Sequence, residues 1–385
     1  MRIAFICCPP SALQLAAMVA RSDVVLVLKH FNRSLKYGEP RSEIRKDCSG
    51  KMSSPPSSKK AKHGNMMEQL SAVTIVVADT GEVQAIEKYH PTDATTNPSL
   101  VLKAAALPEY AHLIQDAIEY GKNTTKYDNR DYSDKLDIIM DKLAVNIGAE
   151  IVKIVPGYVS TEVDARLSFD TKKTVNRARR IIEMYEEMGI SKSRILIKIA
   201  STYEGIRAGE ILQKEGISCN LTLLFSLIQA AACAEAHITL ISPFVGRILD
   251  WYKAKTGQAY TEETDPGVLS VKTIYNYYKK FNYDTIVMGA SFRNIGEIRA
   301  LAGCDRLTIA PALLEEMKNN HDVLEKQLDP TKSNYEGDKL LVDEASFRYA
   351  LNEDQMATEK LSEGIRGFAA DIIKLENIIK GMLKE

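Results

Sequence analysis

The chain has 385 residues, 45% hydrophobic, 26% charged and 7% aromatic. That balance is globular and excludes a disordered, collagenous or coiled-coil chain, and no uninterrupted apolar run reaches the ~18 residues of a membrane-spanning helix. The formal net charge of −1 excludes a general polyanion binder, but it averages two regions: residues 1–62 carry 12 Lys and Arg against 4 Asp and Glu, and the remainder is net acidic.

Residues 1–62 read as a basic, disordered N-terminal extension ahead of a body at 63–385. The apolar stretch from Met1 to Ala20 is broken by Pro9-Pro10. A secretory signal needs a longer unbroken apolar core, and a mitochondrial leader would carry more arginines. Met52, followed by Ser-Ser-Pro-Pro-Ser-Ser, looks like a start. The cluster Lys59-Lys60-Ala61-Lys62 reads as a solvated tail or as a weak nuclear-import signal. Cysteines at 7, 8, 48, 219, 233 and 304 form neither a CxxC pair nor a zinc spacing. The expectation is a reduced, cytoplasmic protein, with nuclear or organellar targeting through residues 1–62 as the alternative. Asn220-Leu221-Thr222 fits the glycosylation pattern; inside a fold it could take no glycan, which favours the cytosol.

From Thr74 onward, short β-rich runs alternate with helical stretches. The predicted strands are 74–78, 93–96, 160–163, 194–199, 220–224, 238–242, 284–289 and 306–309. The fourth, RILIKI, is apolar at nearly every position, as a strand buried on both faces should be. Predicted helices include 98–120, 171–188, 203–215, 224–236 and 266–280, with a long amphipathic helix over about 355–383. Polar loops at about 122–134 and 319–343 read as insertions. Eight strand–helix repeats predict an α/β protein, a (β/α)8 TIM barrel, which takes roughly 250 residues or more.

In such barrels chemistry sits at the C-terminal ends of the strands, and polar residues cluster there: Asp79, Asn97, Glu162, Lys198, Asn220, Thr222, Ser242, Arg247, Ser291 and Arg293. A lysine inside RILIKI is costly unless paired or functional. Partly desolvated, it becomes a nucleophilic amine that can capture a ketone as a Schiff base. Asp79 and Glu162 could move protons, amide and hydroxyl groups could hold sugar hydroxyls, and Arg247 and Arg293 suit a phosphate. Each residue also has a plain structural reading. Lys198 could reach solvent from an edge, Asp79 could serve a turn, and Glu162 could pair with Arg166. Asn97-Pro98 is an ordinary helix entry, and residues 291–293 could cap a helix.

Residues 93–101 (DATTNPSLV) and 195–206 (ILIKIASTYEGI) resemble two signatures of the transaldolase family, eukaryotic type. Residues 77–81, 159–166, 219–225, 241–247 and 289–293 match it as well. The resemblance runs from about Met52 to the C-terminus. It implies a Schiff-base aldolase barrel with no metal and no organic cofactor. Such an enzyme moves a dihydroxyacetone unit reversibly from sedoheptulose 7-phosphate to glyceraldehyde 3-phosphate in the non-oxidative pentose phosphate pathway. By the same resemblance Lys198 forms the Schiff base and Asp79 takes the C4 hydroxyl proton. Glu162 works through a water that Thr222 helps hold. Asn97, Asn220 and Ser242 hold the fragment, Phe244 shields it, and Arg247, Ser291 and Arg293 bind phosphate. It further implies sugar-phosphate substrates, a homodimer, no nucleic acid and no membrane partner, and a C-terminal region near the active site. The alternatives are an aldolase that releases the three-carbon unit to water and a catalytically silent barrel acting as a binding module.

Overall fold

Among the described residues of this computed structural model, 64–127 and 134–384, eight parallel strands close into a barrel in sequence order. The expectations for residues 1–62 and for the middle of the 122–134 loop lie outside the described residues. The chain runs α1 (Met66–Ser71), β1 (Ile75–Asp79), α2 (Val83–Tyr89), β2 (Asp93–Thr95), α3 (Pro98–Ala105), α4 (Ala111–Asn123), α5 (Lys135–Val152) and β3 (Val159–Glu162). It continues with α6 (Thr171–Glu187), β4 (Ile195–Ala200), α7 (Tyr203–Lys214), β5 (Cys219–Leu224), α8 (Leu227–Glu235), β6 (Leu240–Pro243), α9 (Gly246–Thr256) and α10 (Pro266–Lys280). Then follow β7 (Ile286–Gly289), α11 (Ile295–Ala300), β8 (Arg306–Ile309), α12 (Pro311–Asn319), α13 (Glu344–Glu353) and α14 (Gln355–Met382). All eight expected strands form, and this is the (β/α)8 fold.

Two expectations need correction. The single helix over 98–120 is two, because Pro108 lacks an N–H and turns Leu107 to extended backbone (φ −84°, ψ 133°). The Glu162–Arg166 pair does not form. Arg166 instead binds Asp164 at 2.6 Å and Glu376 at 2.5 Å. Asp137, Asp164 and Glu376 form an acidic cluster that the Arg166 and Arg177 guanidinia neutralise, tying α14 to the barrel and to α5. The stretch between α12 and α13 has no regular element, as expected of an insertion.

Strand side chains alternate between the two faces of the barrel wall. On β4, Ile195, Ile197 and Ile199 join the main core under the helices, while Leu196 packs with Val77, Leu240 and Met288 in a separate apolar cluster. That cluster is the plug of the barrel interior. Two residues further along β1, β4 and β6 come Asp79, Lys198 and Ser242, so the same period that builds the plug puts polar groups above it. α14, 28 residues long, lies across this end against β5, α3 and α9. It passes so close to β5 that a Cβ on Gly364 would stand 2.6 Å from Leu223. Leu223 itself has φ +50°, where β5 departs from regular pairing.

Candidate active site

Lys198, 4% exposed, is fixed by strand register: it pairs with Glu162 on β3 and with Asn220 on β5. Its Nζ donates to the carbonyl of Thr96 at 3.0 Å and stands 3.2 Å from Oε2 of Glu162. The lysine therefore points into the barrel beside an acid rather than out to solvent. Burial pushes the Glu162 carboxyl above the usual range, against the pull of Lys198 and then Arg247. Burial also raises Asp79, opposed by Lys198, Arg247 and Lys103. Two carboxyls whose ionisation burial makes more costly thus share the site with one amine, an arrangement suited to proton exchange at a reacting centre.

The cavity above Lys198 is lined by Asp79, Asn97, Thr222, Ser242, Phe244, Arg247 and Ser291, all singled out from sequence. Glu162 lines a neighbouring opening that shares Asn97. Asn97 also caps α3, accepting from Leu100 N at 3.0 Å with Pro98 at the first helical position, so its structural reading holds alongside its place in the cavity. Thr222 Oγ1 and Thr308 Oγ1 are buried without a hydrogen-bond partner among the described residues, an arrangement that suits a polar ligand.

Two expected residues stand apart. Asn220 is fully buried below the cavity, donating to Ser160 Oγ at 3.1 Å and accepting from Ser242 Oγ at 2.6 Å. Arg293 is turned outward to Asp250, at 2.8 Å. Both partners of that contact are exposed, and such pairs are worth about 0–1 kcal/mol, so an anion could readily compete for the guanidinium. Arg247 is held differently, stacked between the rings of Phe244 at 4.8 Å and Phe368 at 5.6 Å. Burial and the nearby Arg293 weigh against its charge.

Thr95, Ala290, Thr308 and Phe368 also line the cavity and were not singled out. Thr95 lies inside the 93–101 signature and Thr308 near the end of the eighth strand, so position alone could have found them. Phe368 lies on α14, far away in sequence, and carries no local signal.

A barrel with a lysine–carboxylate pair at the C-terminal ends of its strands is the architecture of a Schiff-base aldolase. The transaldolase/fructose-6-phosphate aldolase family profile matches residues 76–379. The chain belongs to that family and is an enzyme of the transaldolase type. It is similar to the transaldolase of Marinomonas sp. strain MWYL1, 60% identical over 319 residues, 83% of this chain and 99% of the relative. It is also similar to the transaldolase of Kluyveromyces lactis, 58% identical over 336 residues (86% and 99%), and to that of Saccharomyces cerevisiae, 58% over 334 residues (86% and 98%).

Proposed function

We propose that the enzyme transfers a dihydroxyacetone unit from sedoheptulose 7-phosphate to glyceraldehyde 3-phosphate, giving erythrose 4-phosphate and fructose 6-phosphate, through a Schiff base on Lys198. The observation that carries this is the Lys198 amine inside the strand ring, 3.2 Å from Glu162, in a cavity whose wall includes Arg247.

The amine must lose its proton to attack the ketose carbonyl, and Glu162 is the acceptor beside it. Attack gives a carbinolamine. Glu162, through a water held by Thr222, returns a proton as hydroxide departs, leaving an iminium. Asp79 takes the C4 hydroxyl proton, the C3–C4 bond breaks, and its electrons pass into the iminium to give an enamine. The first aldose leaves while the three-carbon piece stays bonded to Lys198; the second aldose enters and the steps reverse, a ping-pong sequence. Asn97 and Ser242 hold the fragment's hydroxyls, with Asn220 orienting Ser242 from below. Arg247, Ser291 and Arg293 take the phosphate. Phe244 and Phe368 keep water from the enamine.

Residues 63–385 are read as the catalytic unit and 1–62 as an extension ahead of it. We read the active form as a homodimer in the cytoplasm. The burial of Asn220 supports the latter, since its glycosylation pattern is useless in the folded barrel. No described helix is long and apolar enough to cross a membrane.

Product analysis separates this reading from an aldolase that gives the fragment up to water. With fructose 6-phosphate alone, free dihydroxyacetone should stay near background; adding erythrose 4-phosphate should yield sedoheptulose 7-phosphate. Free dihydroxyacetone released at the transfer rate would overturn the transferase reading.

A further inference from the structure

Behind the residues assigned to the phosphate lie two buried acids. Oδ1 of Asp265 caps α10, accepting from Gly267 N at 2.8 Å and Val268 N at 3.2 Å. Glu297, in the first turn of α11, accepts from the backbone N–H of Arg293 through Oε2 at 2.7 Å. The residues are 3% and 1% exposed. Each carboxyl lies in the electrostatic environment of the other, and Oε1 of Glu297 has no donor among the described groups. With both ionised, two like charges would face each other in a buried place and leave a bare acceptor. One proton between them turns that repulsion into a hydrogen bond.

The surrounding charges do not do this work instead. Arg293 offers Glu297 its backbone N–H while its guanidinium goes to Asp250. Lys253 of α9 acts on Asp265 only through space. Glu262, beside Gly296, is within 3.9 Å of Arg299. Burial, with Asp265 adding to it, pushes the Glu297 carboxyl up to about 7.

Each acid braces one side of the phosphate site. The N-terminus of α10 packs so tightly under Val245 that a Cβ on Gly267 would lie 2.2 Å from the Val245 carbonyl oxygen. That segment leads directly into Arg247. Glu297 holds the loop at 291–293, where Ser291 takes the left-handed conformation (φ +63°) and its carbonyl accepts from Gly246 N at 2.9 Å.

We propose that Glu297 and Asp265 are positioning residues that share one proton, and that this proton holds the two sides of the phosphate site together, Arg247 on one and residues 291–293 on the other. The proposal rests on the phosphate-site reading above. Loss of the proton on raising pH sets the carboxylates apart and loosens the loop, so sugar-phosphate binding weakens while the chemical step, several residues away, is less affected.

The test follows KM and kcat for fructose 6-phosphate, with erythrose 4-phosphate as acceptor, between pH 7 and 8.5. Substrate phosphate, with its second ionisation near pH 6, changes little there. In the native enzyme KM should climb, by at most about tenfold per pH unit, the limit for one proton. Glu297→Gln keeps an acceptor for the Arg293 N–H and gives Asp265 a permanent donor. Asp265→Asn does the same from the other side and keeps the cap on α10. Each should flatten the KM profile and leave any kcat profile as in the native enzyme. If both variants keep the native climb in KM, the proposal is overturned; if one does not fold, the other decides. Inorganic phosphate tests the underlying reading separately: it should compete with fructose 6-phosphate in the native enzyme and do so far less in Arg247→Ala. Failure to compete overturns the phosphate site itself, whatever the slopes do.

Discussion

The barrel interior holds two buried ion pairs, and they are built for different ends. Near the strands' N-terminal ends, Arg306 meets Asp93 at 3.0 Å, with its guanidinium over the Tyr158 ring at 5.2 Å. Asp93 also accepts from Tyr158 N at 2.7 Å. Two residues further along other strands, Lys198 meets Glu162 at 3.2 Å below an open cavity. A guanidinium keeps its proton in a protein, whereas a buried lysine can give its proton up. The first pair can only fix geometry; in the proposed mechanism the second exchanges a proton and frees a nucleophile. The apolar plug of Val77, Leu196, Leu240 and Met288 is level with the first pair, Val77 in register with Asp93 and Met288 with Arg306, and one inward-facing step below Lys198.

This contrast can be broken at either pair. Lys198→Ala should lower kcat by at least about a thousandfold, because the covalent route is lost. The protein should still fold, since Glu162, already raised by burial, can take a proton and go neutral. Steady-state transfer assays and circular dichroism on the same preparation check both halves. Glu162→Gln should cost about 10²–10⁴ in kcat, the usual size of a general acid–base contribution, and pre-steady-state kinetics should find the loss in Schiff-base formation. Loss only in product release would contradict the role given to Glu162.

At the structural pair the pattern should invert. Arg306→Met strands Asp93 and should cost about 3–5 kcal/mol of stability, read from denaturant unfolding, with kcat of the folded enzyme near native. A kcat loss matching that of Glu162→Gln, with stability intact, would erase the distinction. The smallest effect should come from Phe368→Ala, which removes one ring from the Arg247 stack. A cation–π contact worth about 0.5–2 kcal/mol predicts a KM for sugar phosphate raised several-fold, with kcat little altered.

These residues differ in how far the sequence revealed them. Lys198 stands out because a charge interrupts an apolar strand, and Asp79 and Ser242 because they fall at the ends of the first and sixth strands. The eight strands were legible for the same reason: buried parallel strands are short apolar runs. The break at Pro108 was written in the sequence, yet the apolar periodicity on both sides masked it. Arg306 and Asp93 sit in strands that were found, but nothing local says that the first and last turns of a closed barrel bring them together. Phe368 and the Glu297–Asp265 contact depend on helices meeting across long stretches of chain. An acid in the first turn of a helix looks the same in sequence whether it faces water or another acid.

In the proposed mechanism one amine, Lys198, carries the three-carbon unit. Borohydride reduction in the presence of fructose 6-phosphate, followed by peptide mass spectrometry, tests it most directly. Reduction should give a single three-carbon adduct, on Lys198, absent from Lys198→Ala. An adduct on another lysine, or none while transfer continues, would contradict it.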